Sequence, residues 1–388
     1  MYDSAPQKLS DIIADESDIL KPSTRRRFIA NASTLSLAIP GVGAALAACS
    51  PGDNAKPDAT PAGTSVRGDD DRGDDDRRHH NSDSKLDSSL FKGRRGGNTS
   101  ITRATPENEI AFRRFDPTLP PLREGGVKLQ WHASEQRIRI ADDTVVAAWT
   151  FEHNIPGPIV HCRVGDSVEF TLINDVDVPH SMDFHAAQID PKVAFRSVPK
   201  GQSVSFRFSP KWAGAFMYHC GTAPVLMHIG SGMYGAIIVS PREGLPAAKE
   251  FVLVQSEFYL ADAVNGLRAF DYQKMLVTMP DFVVFNGRPN QYIKDPIRVK
   301  VGDRVRFWLV NAGPTHPCNF HVVGEQFDTT YLGAPPLTPM RGVQTWSVAP
   351  GGGMVFELLC DVAGEFPFVN HGFGHGQKGA IGFLVVEP

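Results

Sequence analysis

Apolar and polar positions alternate from about Asn108 to the C-terminus. Stretches such as Gly126-Val127-Lys128-Leu129-Gln130-Trp131 and Ser203-Val204-Ser205-Phe206-Arg207-Phe208 are punctuated by Gly and Pro, which predicts half-buried strands joined by turns. An internal repeat sets the larger plan. VGDSVEFTLIND at 164–175 matches VGDRVRFWLVNA at 301–312, and HSMDFH at 180–185 matches HPCNFH at 316–321 at nearly the same offset. One all-β unit has therefore been duplicated, and short strands in that number predict a Greek-key β-sandwich used twice. The first copy is expected over 108–245 and the second over 246–388, with Pro241 to Glu250 as the connector.

The N-terminal region follows a different pattern. Thr24-Arg25-Arg26-Arg27-Phe28-Ile29 has the form of a twin-arginine export signal, and the apolar run from Phe28 to Ala48 is too broken by Pro40, Gly41 and Gly43 to make a good membrane span. It ends Leu46-Ala47-Ala48-Cys49, which resembles the lipobox of bacterial lipoproteins. Residues 1–49 thus read as a signal, with Cys49 as the acylated residue. The expectation is an extracytoplasmic protein, in the periplasm or on the outer face of the cell membrane, touching the membrane by a lipid anchor only. Residues 50–107 include Arg67-Gly68-Asp69-Asp70-Asp71 repeated at once as Arg72-Gly73-Asp74-Asp75-Asp76. They offer almost nothing to bury and read as a disordered, solvated tether.

Composition narrows the choice further. With 41% hydrophobic and 21% charged residues in a chain of 388, collagen-like, coiled-coil and wholly disordered chains are excluded. Thirty-nine basic against 43 acidic residues leave no surplus to neutralise a phosphate backbone, so nucleic acid is not an expected partner. The five cysteines are scattered and odd in number, which argues against a dense disulfide framework and frees at least one thiol for other chemistry.

That chemistry clusters around Tyr218-His219-Cys220, which is followed by His228 and Met233, with His180 upstream. A thiolate, two imidazoles and a thioether are the donors copper selects, and a His2Cys set with a weak axial Met makes a blue-copper, or type 1, centre. Successive strand residues face opposite sides, so Cys220 can bind one ion while His219 points toward another. His180 and His185 are also an odd number apart, so an extended HSMDFH segment would send His185 to the side that His219 faces. A second metal with two histidines follows, and its third ligand must come from elsewhere. The remaining candidates are His132, His153, His161, His316, His321, His371 and His375.

The runs PHSMDFHAA, YHCGTAPVLMHIGSGMYGAIIV, FHVVGEQFDTTY and FVNHGFGHGQKGAIG resemble the copper-containing nitrite reductases, across the body from about residue 125 to Pro388. The eight-residue step from Cys220 to His228 is similar to the shorter-loop class, which includes lipid-anchored members. The resemblance implies two tandem cupredoxin-like domains. It implies His180, Cys220, His228 and Met233 as type 1 copper ligands, His185, His219 and His371 as type 2 copper ligands, and Asp183 with His321 as an acid/base pair over the substrate. It implies one copper of each type per subunit, and a homotrimer in which His371 of one subunit completes the type 2 site of its neighbour. The implied reaction is the one-electron reduction of nitrite to nitric oxide, fed by a small redox protein, a cupredoxin or a cytochrome c.

Departures from the family pattern accompany the resemblance. Val323 stands where the family usually has Ile facing the type 2 site, which implies a slightly wider substrate pocket. His316 and His375 are unexpected imidazoles. Residues 360–388 contain no Cys-x7-His-x4-Met, so the second copy is expected to serve as scaffold and active-site wall. Cys162, Cys318 and Cys360 read as buried, inert thiols.

Two rivals share the architecture. A two-domain multicopper oxidase needs H-x-H and H-C-H pairs for a trinuclear cluster, and this sequence contains no H-x-H. A non-enzymatic electron carrier would keep His180, Cys220, His228 and Met233 but has no need of His185, His219 and His371. A zinc hydrolase would leave Cys220 and Met233 unexplained.

Overall fold

Two sandwiches are built from strands that repeat in the same order. The structure is a computed structural model describing residues 109–388 except 124–125 and 334–338, so the signal-like segment, Cys49 and the tether lie outside the described residues. In the first sandwich one sheet runs Thr144–Phe151, Val127–Ala141, Val168–Asn174, Ser203–Phe208, and the other Val160–Arg163, Tyr234–Ser240, Gly214–His219, Asp183–Phe184. In the second, one sheet runs Phe282–Phe285, Lys249–Phe258, Arg304–Gly313, Gly353–Leu359 and ends on Thr329–Tyr331. The other runs Asp295–Lys300, Ile381–Glu387, Gly364–Asn370, Cys318–Val322, Thr345–Val348. Both copies place one parallel pair at the same point, Val127–Ala141 beside Val168–Asn174 and Lys249–Phe258 beside Arg304–Gly313. Duplication in the sequence is duplication in topology.

The repeat extends to its buried polar groups. Asn174 donates from Nδ2 to the carbonyls of Val178 (2.9 Å) and Val198 (2.8 Å). Asn311, its counterpart, donates to the carbonyls of His316 and Val348, both at 2.9 Å. Both amides are fully buried and satisfy carbonyls that would otherwise be stranded away from water. They pin the chain where it enters the two histidine-bearing motifs.

Strand parity divides the apolar side chains between three cores. In Tyr234–Ser240 every residue is buried. Ile237 and Val239 join Trp131, Phe170 and Tyr218 inside the first sandwich. Tyr234, Ala236 and Ile238 point the other way and pack with Val252, Val254, Trp308 and Val310 of the second. One sheet therefore closes its own core and also lies against its neighbour, so the two sandwiches share a continuous apolar contact.

The HSMDFH motif is less regular than a uniformly extended segment. Only Asp183–Phe184 is a strand, paired with His219 and Tyr218. His180 instead exchanges two backbone hydrogen bonds with Val198 (3.2 and 2.7 Å), and the His185 N–H donates to Met217 O (3.0 Å). The backbone groups of the motif are divided between two neighbours, which breaks the ladder while still sending its two histidines to different places. Among the described residues no helix is long and apolar enough to cross a membrane.

Candidate metal centres

The first group lies at the end of Gly214–His219. His180, Cys220 and Met233 are fully buried and His228 is 2% exposed. His180 Nδ1 lies 3.2 Å from His228 Nδ1, and Cys220 Sγ lies 3.2 Å from His228 Nδ1 and 3.9 Å from His180 Nδ1. Three donor atoms thus form a small triangle. His228 sits on the helical turn Val225–Gly230. Met233 is tied by its backbone to both neighbours, accepting from the Cys220 N–H (3.1 Å) and donating to the His228 carbonyl (3.2 Å). Trp149 packs on both imidazoles, with ring centres 5.5 Å from His180 and 4.9 Å from His228.

Electrostatics prepare this triangle for a cation. Burial holds His180 down to about 3, with the His228 charge adding to the effect, and holds His228 down to about 4, so both rings offer lone pairs at neutral pH. Burial pushes the Cys220 thiol up, against hydrogen bonds from Ser181 and Thr222 that favour the thiolate. The Ser181 N–H donates to Cys220 Sγ at 3.3 Å, and Ser181 Oγ accepts from the Gly221 N–H (3.0 Å) and the Thr222 hydroxyl (3.1 Å). A soft cation would displace the thiol proton and complete the set.

The second group lies across one peptide bond. His219 Nε2 is 3.1 Å from His185 Nε2 and 3.5 Å from Asp183 Oδ2. His219 Nδ1 donates to the Cys220 carbonyl (3.0 Å), and His185 Nδ1 donates to the Gly351 carbonyl (2.9 Å). A carbonyl only accepts, so each Nδ1 carries its hydrogen and each Nε2 is left with a lone pair. Two lone pairs facing at 3.1 Å repel unless a cation lies between them, so the pair fits a metal ion. Burial raises the Asp183 carboxyl and the two imidazoles draw it back, while burial lowers His219.

Gly351 belongs to the second sandwich and has φ of +78°, a left-handed conformation that glycine adopts without strain. Its carbonyl fixes a ring of the first. His185 also borders a cavity of about 370 Å³ lined by Trp212, Phe216, Leu332 and Gly351 among others.

The remaining expected residues stand elsewhere. His371 follows Gly364–Asn370, with its N–H on the Asn319 carbonyl (2.7 Å), and its ring centre is 5.3 Å from that of His321 and 4.6 Å from that of Phe373. His321 donates from Nδ1 to the Gln344 carbonyl at 2.6 Å. Val323 is 39% exposed and its N–H donates to the Pro367 carbonyl. Among the described residues neither His321 nor His371 joins the His185–His219–Asp183 group. His132, His153 and His161 are held in separate hydrogen bonds to Asp175, Ser134 and Ser240. Cys162, Cys318 and Cys360 are buried free thiols, and burial pushes all three up, Cys162 and Cys360 to about 12.

Sequence reasoning passed over Ser181, Thr222, Trp149 and Gly351. Ser181 lies inside the histidine motif and Gly351 opens the run Gly351-Gly352-Gly353, so both carried a faint local signal. Trp149 and Thr222 carried none.

The chain is similar to copper-containing enzymes. A multicopper oxidase family model matches residues 132–244. The copper-containing nitrite reductase of Neisseria meningitidis is 36% identical over 297 residues, covering 74% of this chain and 75% of that protein. The solved copper nitrite reductase of Nitrosomonas europaea matches with a TM-score of 0.63 and 35% identity, covering 67% of this chain and 94% of that one. A copper-containing nitrite reductase of Thermus scotoductus matches with a TM-score of 0.62 and 28% identity, covering 68% and 62%. With its duplicated sandwich and donor groups on either side of one peptide bond, the chain belongs to the copper-containing nitrite reductase family.

Proposed function

We propose that the protein reduces nitrite to nitric oxide. The observation that carries this reading is the adjacency of the two donor groups: Cys220 faces His180 and His228, while His219, its neighbour in the chain, faces His185 and Asp183. Copper bound at the two sets would supply one-electron chemistry, with the Cys220–His219 link joining them, for a reaction in which nitrite, two protons and one electron from a small donor protein give nitric oxide and water. His180, Cys220, His228 and Met233 would hold the first ion, and His185 and His219 the second, with His371 of the partner subunit in a homotrimer as the third ligand. A shared ligand would make assembly and activity interdependent.

The chain's other residues manage the proton and the substrate. Asp183, 3.5 Å from His219 Nε2, stands beside the open face of the imidazole pair, where it can orient nitrite and hand a proton to a nitrite oxygen. The Gln344 carbonyl holds His321 Nδ1 and leaves the lone pair on Nε2, so His321 would serve as the second proton relay in the assembled homotrimer. Val323 would line the substrate side and leave more room than Ile. Export by the twin-arginine route and a lipid anchor at Cys49 would place this chemistry outside the cytoplasm.

A second reading, oxidation of phenols or metal ions with oxygen, is favoured by the multicopper oxidase family match. It needs further imidazoles beside the His185–His219 pair. Purified protein loaded with copper decides between them. Two coppers per chain, one of each spectroscopic type, with nitric oxide formed from nitrite under reducing conditions, support the first. Four coppers with rapid oxygen consumption overturn it.

A further inference from the structure

The second sandwich repeats the backbone frame of the first copper-type group around altered side chains. In the first, the Cys220 N–H donates to Met233 O and the Met233 N–H donates to His228 O (3.1 and 3.2 Å). In the second, the Asn370 N–H donates to Ala380 O and the Ala380 N–H donates to His375 O (3.0 and 3.2 Å). Asn370 ends Gly364–Asn370 as Cys220 follows Gly214–His219, and His375 lies on the helical turn Phe373–Gly376 as His228 lies on Val225–Gly230. The match of HPCNFH to HSMDFH puts His316 in the place of His180. Position by position, the thiolate has become an amide and the thioether a methyl, and both imidazoles are retained.

The two rings have kept their company as well. Their centres are 4.6 Å apart, against 5.1 Å for His180 and His228. His316 Nε2 donates to the Thr278 carbonyl (3.0 Å), which leaves the lone pair on Nδ1, the atom His180 turns toward its triangle. Asn370 uses its two amide hydrogens on Gln255 Oε1 (2.7 Å) and Pro317 O (3.1 Å), with Oδ1 accepting from the Gly372 N–H. His375 Nδ1, 3.3 Å from that amide nitrogen, faces a donor that cannot accept, so its lone pair points to the place that Cys220 Sγ takes beside His228. Glu257 Oε1 accepts from the His316 backbone N–H at 2.6 Å and fixes that end of the motif. Both histidines are half-buried, so an ion can reach them from solvent.

We propose that His316 and His375 form a third metal site, taking a borderline divalent cation such as zinc, with water from the solvent side completing the coordination. Imidazole suits zinc, copper and nickel alike, and without sulfur any ion held here gives no strong visible colour. It is independent of nitrite chemistry.

Full-chain protein loaded with copper and then equilibrated with zinc chloride should take up one additional ion per chain by elemental analysis, with the copper electron paramagnetic resonance signals unchanged. His316→Gln and His375→Gln should each lose that ion and keep the copper signals, which also report that the variants have folded. Zinc-edge X-ray absorption of the unaltered protein should show imidazole scattering and no sulfur. No additional zinc, zinc persisting in both variants, or sulfur bound to zinc would each overturn the site. A protein that makes no nitric oxide yet binds this zinc would remove the nitrite reading alone.

Discussion

The first sandwich gathers every sulfur ligand candidate and the second gathers none, although both are built on one strand order with one buried Asn at the same point. The difference is confined to the last few residues of one strand and the loop after it. Cys220, His228 and Met233 in one copy correspond to Asn370, His375 and Ala380 in the other. A duplicated β-sandwich therefore keeps its frame through alternation and buried hydrogen bonds, and changes chemistry at a handful of positions at one strand end and in the loop after it.

The comparison can be broken most severely at Cys220. Cys220→Ala should abolish visible colour and donor-driven turnover while type 2 copper stays bound; retained colour would show that the first copy owes its distinctness to something else. A smaller effect is expected at Asp183, whose counterpart in the second copy is Asn319. Asp183→Asn, which imports that residue, should cut nitrite turnover by about 10²-fold if the carboxyl moves protons, and near-normal rates would reduce it to orienting His219. The smallest effect tests the shared frame. Asn174→Ala and Asn311→Ala should each lower stability by about 1–3 kcal/mol in denaturant unfolding, because each strands two buried carbonyls. Only Asn174→Ala should also perturb the visible spectrum, since it loosens Val198 and with it His180; equal spectral effects from both would contradict the division of labour.

Much of this was legible in the amino-acid sequence. The repeat and the period-two alternation announced the doubled sandwich, and the odd spacing of His180 from His185 and of His219 from Cys220 separated the two donor groups. What escaped was of another kind. The Gly351 carbonyl sets the tautomer of His185 from far along the chain, and a backbone oxygen leaves no mark in side-chain pattern. The HSMDFH segment reads as one strand, but its hydrogen bonds go to two partners, which only the fold assigns. His321 and His371 sit together, apart from His185 and His219, and a single chain's pattern of residues says nothing of what a neighbouring copy would bring.

The hydrogen bond from His185 to Gly351 has a consequence for ancestry. Once a loop of one half came to steer a ring of the other, the gene that had doubled could no longer be halved. A lone N-terminal half would lack that carbonyl, and the ring of His185 would swing without guidance.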